Sequence, residues 1–163
     1  MKTLYLIRHA KSDWDNTSLL DIERPLNERG YREANKMSLL FKEKYTTPKL
    51  IISSPAIRAI STALIFTRNL IYNPNQIVIT DELYETSINE YLSVIASINN
   101  QFDSVMLFGH NPTISDVANL LAKSLDMEMP TGTIVGISFN IDHWNDIETT
   151  KGELVLFDYP RKG

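Results

Sequence analysis

Two histidines in the sequence each follow a short apolar run, and two arginines accompany them. Arg8 and His9 come directly after TLYLI, His110 comes directly after VMLFG, and Arg58 follows the segment IISSPAI. The arginine fork binds phosphate oxygens in pairs and keeps its charge throughout a reaction. A histidine with one ring nitrogen held by a carbonyl has the other nitrogen free to attack phosphorus. The combination predicts a site that binds and transfers a phosphoryl group.

A phosphoryl transfer also needs a proton for the leaving group, and the sequence offers two carboxylates for this role. Glu82 and Glu85 both lie in DELYET, the segment that follows the apolar run QIVIT. A carboxylic acid near the phosphate could donate that proton. Both glutamates therefore remain candidates for the general acid at this point.

The elements that must position these residues are strands alternating with helices. Four segments have the composition of strands: Thr3 to Ile7, Lys49 to Ser54, Gln76 to Thr80 and Ser104 to His110. Five residues that recur at helical spacing after Gly30, four of them apolar, predict a helix of about four turns. They are Tyr31, Ala34, Met37, Ser38 and Phe41.

Three further helices are predicted from capping signals. Ser54 as N-cap, with Pro55 at the first helical position, predicts a helix that carries Arg58 in its first turn. Ser87 and Glu90 form a capping box for a helix that ends near residue 99, and Thr113 is expected to cap the next one. The helix that begins at Ser54 is expected to turn four residues inward: Ile57, Ile60, Ala63 and Leu64.

The chain ends in two further strand-like segments, TIVGISFNI and ELVLFDY, which are expected to pair as an antiparallel hairpin. The whole pattern predicts one α/β domain over residues 1–163, with three layers (α/β/α) around a mainly parallel mixed sheet. Ligands bind at the carboxyl ends of the strands in such sheets. His9, Ser54, the Glu85 loop and His110 all follow strands, so we expect them to meet.

Composition narrows the possible functions. The net charge is −4, which provides no overall field for nucleic acid or an anionic membrane, and no cysteine is present. Disulfides and thiolate chemistry are therefore excluded, and the cytoplasm is the expected compartment. We predict no targeting segment, because the first apolar run is too short. The basic residues from Arg24 to Lys44 alternate with glutamates, as on a solvated helix face.

Four motifs occur in the order that is typical of one family: LIRHAKS, RPLNERG, SSPAIRAIST and GHNP. They resemble the histidine phosphatase superfamily, and in particular its small SixA-type phosphohistidine phosphatases. The resemblance implies a phosphoglycerate mutase-like fold with His9 as the nucleophile that is transiently phosphorylated. It also implies that Arg8, Arg58 and His110 form the phosphate pocket and that Glu85 occupies the position of the usual proton donor.

Two positions depart from the commoner pattern of that superfamily. Ala10 stands where the commoner motif has glycine, and alanine also occurs there among the SixA-like members. Asn16 lies one position away from the asparagine of the mutase pattern, so we assign it no role. His143 matches no motif, and Trp14 is interpreted as a packing or rim residue.

The sequence therefore predicts a phosphatase that hydrolyses phosphate monoesters or protein phosphohistidine through a covalent intermediate on His9. We expect no cofactor and no metal, because two arginines in the pocket would repel a cation. Only about twenty residues separate Asn111 from Thr131, which leaves the pocket open enough for a phosphorylated protein side chain. The alternatives are a phosphatase for small sugar or nucleotide phosphates and a phosphate-binding adaptor without catalytic activity.

Overall fold

The computed structural model describes residues 1–161, whose centre is a single mixed sheet. Its strands are β1 (Lys2–Arg8), β2 (Leu50–Ser53), β3 (Val78–Ile79), β4 (Ser104–Gly109), β5 (Ile134–Phe139) and β6 (Glu153–Asp158). The strand order is β3-β2-β4-β1-β5-β6. Strands β1 to β4 pair in parallel, whereas β5 runs antiparallel to both β1 and β6. The predicted fold class and the C-terminal hairpin are both confirmed.

Helices cover both faces of this sheet. They are α1 (Glu28–Lys44), α2 (Ile57–Leu70), α3 (Ile88–Ala96) and α4 (Thr113–Leu121). Successive strand residues point to opposite faces. Tyr5 and Ile7 therefore pack with α1 and α2, whereas Leu4 and Leu6 pack with α3 and α4. The sheet is buried between these two helical layers, which leaves the carboxyl ends of the parallel strands as the place for a site.

The start of α2 differs from the prediction. The helix begins at Ile57 with Ala56 at its N-cap, and Ser54 lies before it in the loop. The hydroxyl of Ser54 accepts a hydrogen bond from the Ala56 N–H at 3.2 Å, which shapes the turn rather than capping the helix. Arg58 is the second residue of α2, as the prediction of a first-turn position requires.

The buried face of α2 was also predicted only in part. Ala63 is buried as expected, but Ile57 and Leu64 are 43% and 44% exposed. Arg58 and Thr62 are buried instead, because the inner face of the first turns of α2 is directed at the carboxyl ends of the strands. The apolar pattern could not anticipate polar side chains on that face.

Three smaller differences concern the ends of elements. Strand β3 has only two residues, both exposed, because it lies at the edge of the sheet. Thr113 is the first residue of α4 and not its cap, and its hydroxyl donates to the carbonyl of Thr86. Ser87 is the N-cap of α3 as predicted and accepts a hydrogen bond from the Glu90 N–H at 3.2 Å. Only this half of the predicted capping box forms, because the Glu90 carboxylate accepts from the Ser87 hydroxyl and not from its backbone N–H. Within residues 1–161, none of the helices has the length and apolar character needed to cross a membrane.

Candidate active site

The topology brings the two histidines together at the carboxyl ends of neighbouring parallel strands. Arg8 of β1 is in register with Gly109 of β4, so His9 and His110 follow at the same level. The N–H of His9 donates to the carbonyl of Gly109 at 3.1 Å. The two imidazole rings lie 5.1 Å apart, centroid to centroid, at an interplanar angle of 50°. The predicted convergence of these strand ends is therefore observed.

The ring of His9 is oriented by a backbone group. Its Nδ1 lies 2.7 Å from the carbonyl oxygen of Ala10. A carbonyl can only accept, so Nδ1 carries the proton and Nε2 keeps its lone pair. The N–H of Ala10 in turn donates to Thr62 Oγ1 at 3.1 Å, and Thr62 donates to the carbonyl of Arg58 at 2.7 Å. Thr62 therefore connects the peptide that orients His9 to the first turn of α2.

The two arginines and His110 keep polar atoms unpaired inside the protein. Arg8 donates from Nη1 to the carbonyl of Met129, and Arg58 donates from both Nη atoms to Asp21. The Nε atoms of Arg8 and Arg58 and the Nδ1 of His110 are buried without a hydrogen-bond partner within residues 1–161. Leaving such groups unpaired is costly, so their concentration at one place indicates a site for a ligand that accepts hydrogen bonds.

A pocket of about 180 Å³ lies at these residues. The described residues that line it carry four basic side chains and no carboxylate, which suits an anion. The lining residues are Arg8, His9, Lys11, Ser12, Trp14, Arg24, Arg58, His110, Asn111 and Thr131. Among residues 1–161 there is no cluster of three or more histidine, aspartate or glutamate side chains that could hold a metal ion.

Both histidines are neutral near pH 7 in this environment. Burial lowers the pKa of His9 to about 3, and the positive charges of Arg58 and Arg8 act in the same direction. Burial and the neighbouring Arg58 lower the pKa of His110 to about 3 as well. The Nε2 of His110 lies 2.7 Å from the hydroxyl of Ser54, the serine that follows β2. Because His9 is neutral near pH 7, the lone pair on its Nε2 is available without prior deprotonation.

Sequence reasoning missed Asp21, which lies in a short 3-10 turn over Asp21–Glu23. Burial opposes ionisation of its carboxyl, but hydrogen bonds from Tyr84 and Arg58 outweigh it and hold the pKa of Asp21 well below its usual range. The ring of Tyr84 meets that of His110 edge-on, with 5.5 Å between centroids. These partners are distant in sequence, and the segment around Asp21 has only the composition of a turn.

Arg24 is a second residue that was misjudged. It was expected on a solvated face, but it is buried, with only 8% of its surface exposed. Its Nε donates to Asp21 and its Nη1 donates to Ser12, at 3.1 and 2.8 Å. The alternation of basic and acidic residues could not separate Arg24 from the exposed residues of α1.

The two candidate acids lie outside the pocket lining. Glu85 is exposed and has a left-handed backbone, with φ of 49°. Glu82 is exposed too and borders a different cavity, beside Ile52 and Val78 at the edge of the sheet. His143 pairs with Asn100 at 3.2 Å, away from the pocket lining. The structure thus brings together Arg8, His9, Arg58 and His110, and it does not bring either glutamate into that group.

An α/β domain that brings two histidines and two arginines together at the carboxyl ends of its parallel strands defines a histidine-dependent site for phosphate chemistry. Comparison with known proteins agrees with this class. The sequence model of the histidine phosphatase superfamily (branch 1) matches residues 4–117. The chain belongs to the histidine phosphatase superfamily, and it is a phosphatase that acts through histidine.

Solved structures of similar proteins cover nearly the whole chain. A protein from Agrobacterium tumefaciens, assigned as the phosphohistidine phosphatase SixA, is 31% identical with a TM-score of 0.82, over 98% of this chain and 99% of its own. A protein histidine phosphatase SixA in complex with tungstate is 19% identical with a TM-score of 0.81, over 96% of both chains. A mycobacterial glucosyl-3-phosphoglycerate phosphatase with bound VO3 is 15% identical with a TM-score of 0.76, over 98% of this chain and 100% of its own.

Proposed function

We propose that the protein hydrolyses phosphorylated histidine side chains of proteins, or phosphate monoesters, through a phosphohistidine intermediate at His9. The observation that carries this proposal is the hydrogen bond between His9 Nδ1 and the Ala10 carbonyl. It leaves Nε2 as the free nucleophile beside two arginines whose Nε atoms are unpaired. An oriented histidine next to unpaired cationic donors is what a phosphoryl acceptor needs.

In the proposed first step, His9 Nε2 attacks phosphorus and the bond to the leaving group breaks. The leaving group departs with the electron pair of that bond and takes up a proton from solvent, because no carboxylate within residues 1–161 lines the pocket. Water then attacks phosphorus, the bond to Nε2 breaks, and inorganic phosphate is released while His9 returns to its neutral form. Phosphoryl transfer depends mostly on positioning and charge neutralisation, and we assign that role to Arg8, Arg58 and His110.

Phosphohistidine is the substrate class that we favour, because its leaving group makes the smaller demand on an acid. The departing imidazole takes up a proton near neutral pH, whereas an alkoxide needs a strong donor close by. Glu82 and Glu85 are exposed and do not line the pocket. The similar fold of a protein histidine phosphatase SixA supports the same choice. The cytoplasm stays the predicted compartment.

A small phosphorylated metabolite is the second candidate substrate. A phosphatase for glucosyl-3-phosphoglycerate has a similar fold. Glu85 would have to approach the pocket as general acid for such an ester, and its loop carries Tyr84, which already contacts Asp21 and His110. Glu85→Gln should then reduce hydrolysis of an ester with a poor leaving group and leave phosphohistidine hydrolysis nearly unchanged.

The test compares a histidine-phosphorylated protein with p-nitrophenyl phosphate as substrates, in the presence of a chelator. The wild type, His9→Ala and the matched control His143→Ala are assayed side by side, because His143 lies outside the pocket. We expect turnover and an acid-labile phosphoenzyme in the wild type and in the control, and the loss of both in His9→Ala. Retained phosphate binding without turnover or phosphoenzyme would favour the adaptor without catalytic activity.

A further inference from the structure

Trp14 is an exposed aromatic residue at the mouth of the active-site pocket. It lines that pocket, and 67% of its surface is accessible to solvent. The other tryptophan, Trp144, is fully buried, and its indole N–H donates to the carbonyl of Phe102. An indole left in water forgoes the free energy of burial, so its exposure beside a binding site suggests a contact that forms only with a ligand.

One face of the Trp14 ring is already covered by the guanidinium of Arg24. The central carbon of that group lies 3.4 Å from the ring centroid, which is a cation–π stack. Arg24 is itself held by Asp21 and Ser12, at 3.1 and 2.8 Å. The ring is therefore supported from one side by a side chain that cannot move freely.

The support of Trp14 is continuous with the phosphate pocket. Asp21, which holds Arg24, also accepts a hydrogen bond from Arg58 at 3.0 Å. Contacts from Trp14 to Arg24, from Arg24 to Asp21 and from Asp21 to Arg58 thus connect the indole to the basic groups that are proposed to bind phosphate. A group attached to a phosphate in the pocket would leave it through the mouth that Trp14 borders.

We propose that Trp14 is a stacking platform for the leaving group and gives the enzyme a preference for phosphates attached to a flat ring. The inference rests on the proposed function and narrows its substrate class: the imidazole of phosphohistidine has such a ring, and sugar or glycerol phosphates do not. Stacking of two aromatic groups contributes enough to change affinity by about three- to tenfold. Trp14 therefore determines substrate specificity, whereas the residues of the pocket carry out the phosphoryl transfer.

Two phosphonates that differ only in the attached group provide a direct test by titration calorimetry. Phenylphosphonate presents a ring and methylphosphonate does not, and neither is hydrolysed. We expect the wild type to bind phenylphosphonate about three- to tenfold more tightly than methylphosphonate. Trp14→Ala should lose this preference with little change for methylphosphonate, and Trp14→Phe should keep most of it.

Leu20→Ala is the matched control, because Leu20 lies on the same segment, is also 67% exposed and does not line the pocket. It should retain the wild-type preference. If Trp14→Ala weakened the binding of both phosphonates equally, the inference would be overturned in favour of a structural role for Trp14. An unchanged preference for phenylphosphonate in Trp14→Ala would also overturn it. Failure of the wild type to bind either phosphonate would contradict the proposed function itself, and the inference with it.

Discussion

The carboxylate of Asp21 lies 3.0 Å from Nη2 of Arg58, and the backbone carbonyl of Asp21 accepts a second hydrogen bond from Nη1 of the same guanidinium at 2.7 Å. This double contact joins the 3-10 turn over Asp21–Glu23 to the first turn of α2. Both terminal nitrogens of Arg58 thus have an acceptor in Asp21, whereas its buried Nε has no partner within residues 1–161. Asp21 therefore determines how Arg58 presents its donors.

Replacement of Asp21 should impair catalysis through Arg58. Asp21→Ala removes the carboxylate contact and should lower kcat/KM by about tenfold or more, because a mobile arginine stabilises developing charge less well. Asp21→Asn retains a hydrogen-bond acceptor for Arg58 and should therefore lower kcat/KM by a smaller factor. Steady-state kinetics on one substrate, such as p-nitrophenyl phosphate, measures both effects.

Asp103→Asn provides the control for that experiment. Asp103 also contacts a buried basic side chain at 3.0 Å, the Nζ of Lys2, but it lies at the opposite end of the strands. Its replacement should leave kcat/KM within about twofold of wild type. Unchanged kinetics in Asp21→Ala would contradict the positioning role.

Stability should fall in mild acid because of the two buried histidines. Folding lowers the pKa of both His9 and His110 to about 3 from an unfolded value of 6.5. The unfolded chain therefore binds more protons between these two values, and the free energy of unfolding decreases as the pH falls through that window. Well above pH 6.5, where the unfolded chain has also lost these protons, neither histidine contributes a pH dependence.

Urea unfolding in phosphate-free buffer at several pH values between 7.5 and about 4 measures this slope. The loss should amount to several kcal/mol between pH 6.5 and 4, because each pKa unit corresponds to on the order of 1 kcal/mol for each of the two histidines. His110→Gln should show a shallower slope, since one of the two groups is gone, whereas His143→Gln should keep the wild-type slope. Equal slopes in His110→Gln and wild type would show that these histidines do not titrate as inferred.

The parts of the fold that could be predicted are those with a local signal. Strands β1 and β4 are short apolar runs with a polar end, and that pattern alone placed His9 and His110 at one edge of the sheet. The N-cap at Ser87 is likewise predicted from neighbouring residues. Burial and capping both depend on residues that are close in sequence, so the sequence contains the information.

The parts that could not be predicted depend on contacts between distant residues. Tyr84 reaches Asp21 across 63 positions and Arg58 reaches it across 37, and no periodicity in the sequence records such a pair. The polar inner face of α2 is similar: Thr62 is buried for its hydrogen bonds to Ala10 and Arg58, not for its hydrophobicity. Side chains that serve the site thus interrupt the apolar pattern on which the prediction relies.

Thr62 should matter for the orientation of His9. Thr62→Val keeps the shape of the side chain but removes the hydroxyl that accepts the N–H of Ala10, and this N–H is then buried without a partner. Loosening of the Ala10 peptide should reduce kcat by about tenfold through the misplaced His9 ring. Thr67→Val on the same helix is the control, because Thr67 is equally buried and donates only to the carbonyl of Leu64. Equal kcat in the two variants would refute the role of Thr62.

Gly109 should tolerate no side chain because of Tyr91. A Cβ at Gly109 would overlap the hydroxyl of Tyr91, which is fully buried and has no hydrogen-bond partner within residues 1–161. Gly109→Ala should therefore cost about 1–3 kcal/mol of stability and reduce activity, since Gly109 directly precedes His110. Tyr91→Phe removes an unsatisfied hydroxyl and should be nearly neutral.

In the double variant Gly109→Ala/Tyr91→Phe the added methyl group no longer meets the hydroxyl. We expect part of the lost stability and activity to return, with a coupling free energy of about 0.5 kcal/mol or more between the two positions in urea unfolding. The sign of this coupling free energy is the decisive result. If the overlap is relieved, the double variant is more stable than the sum of the two single-variant effects predicts. Strict additivity would mean that β4 shifts to accommodate the alanine without help from Tyr91, and the close packing of Gly109 against Tyr91 would then have no role in holding His110.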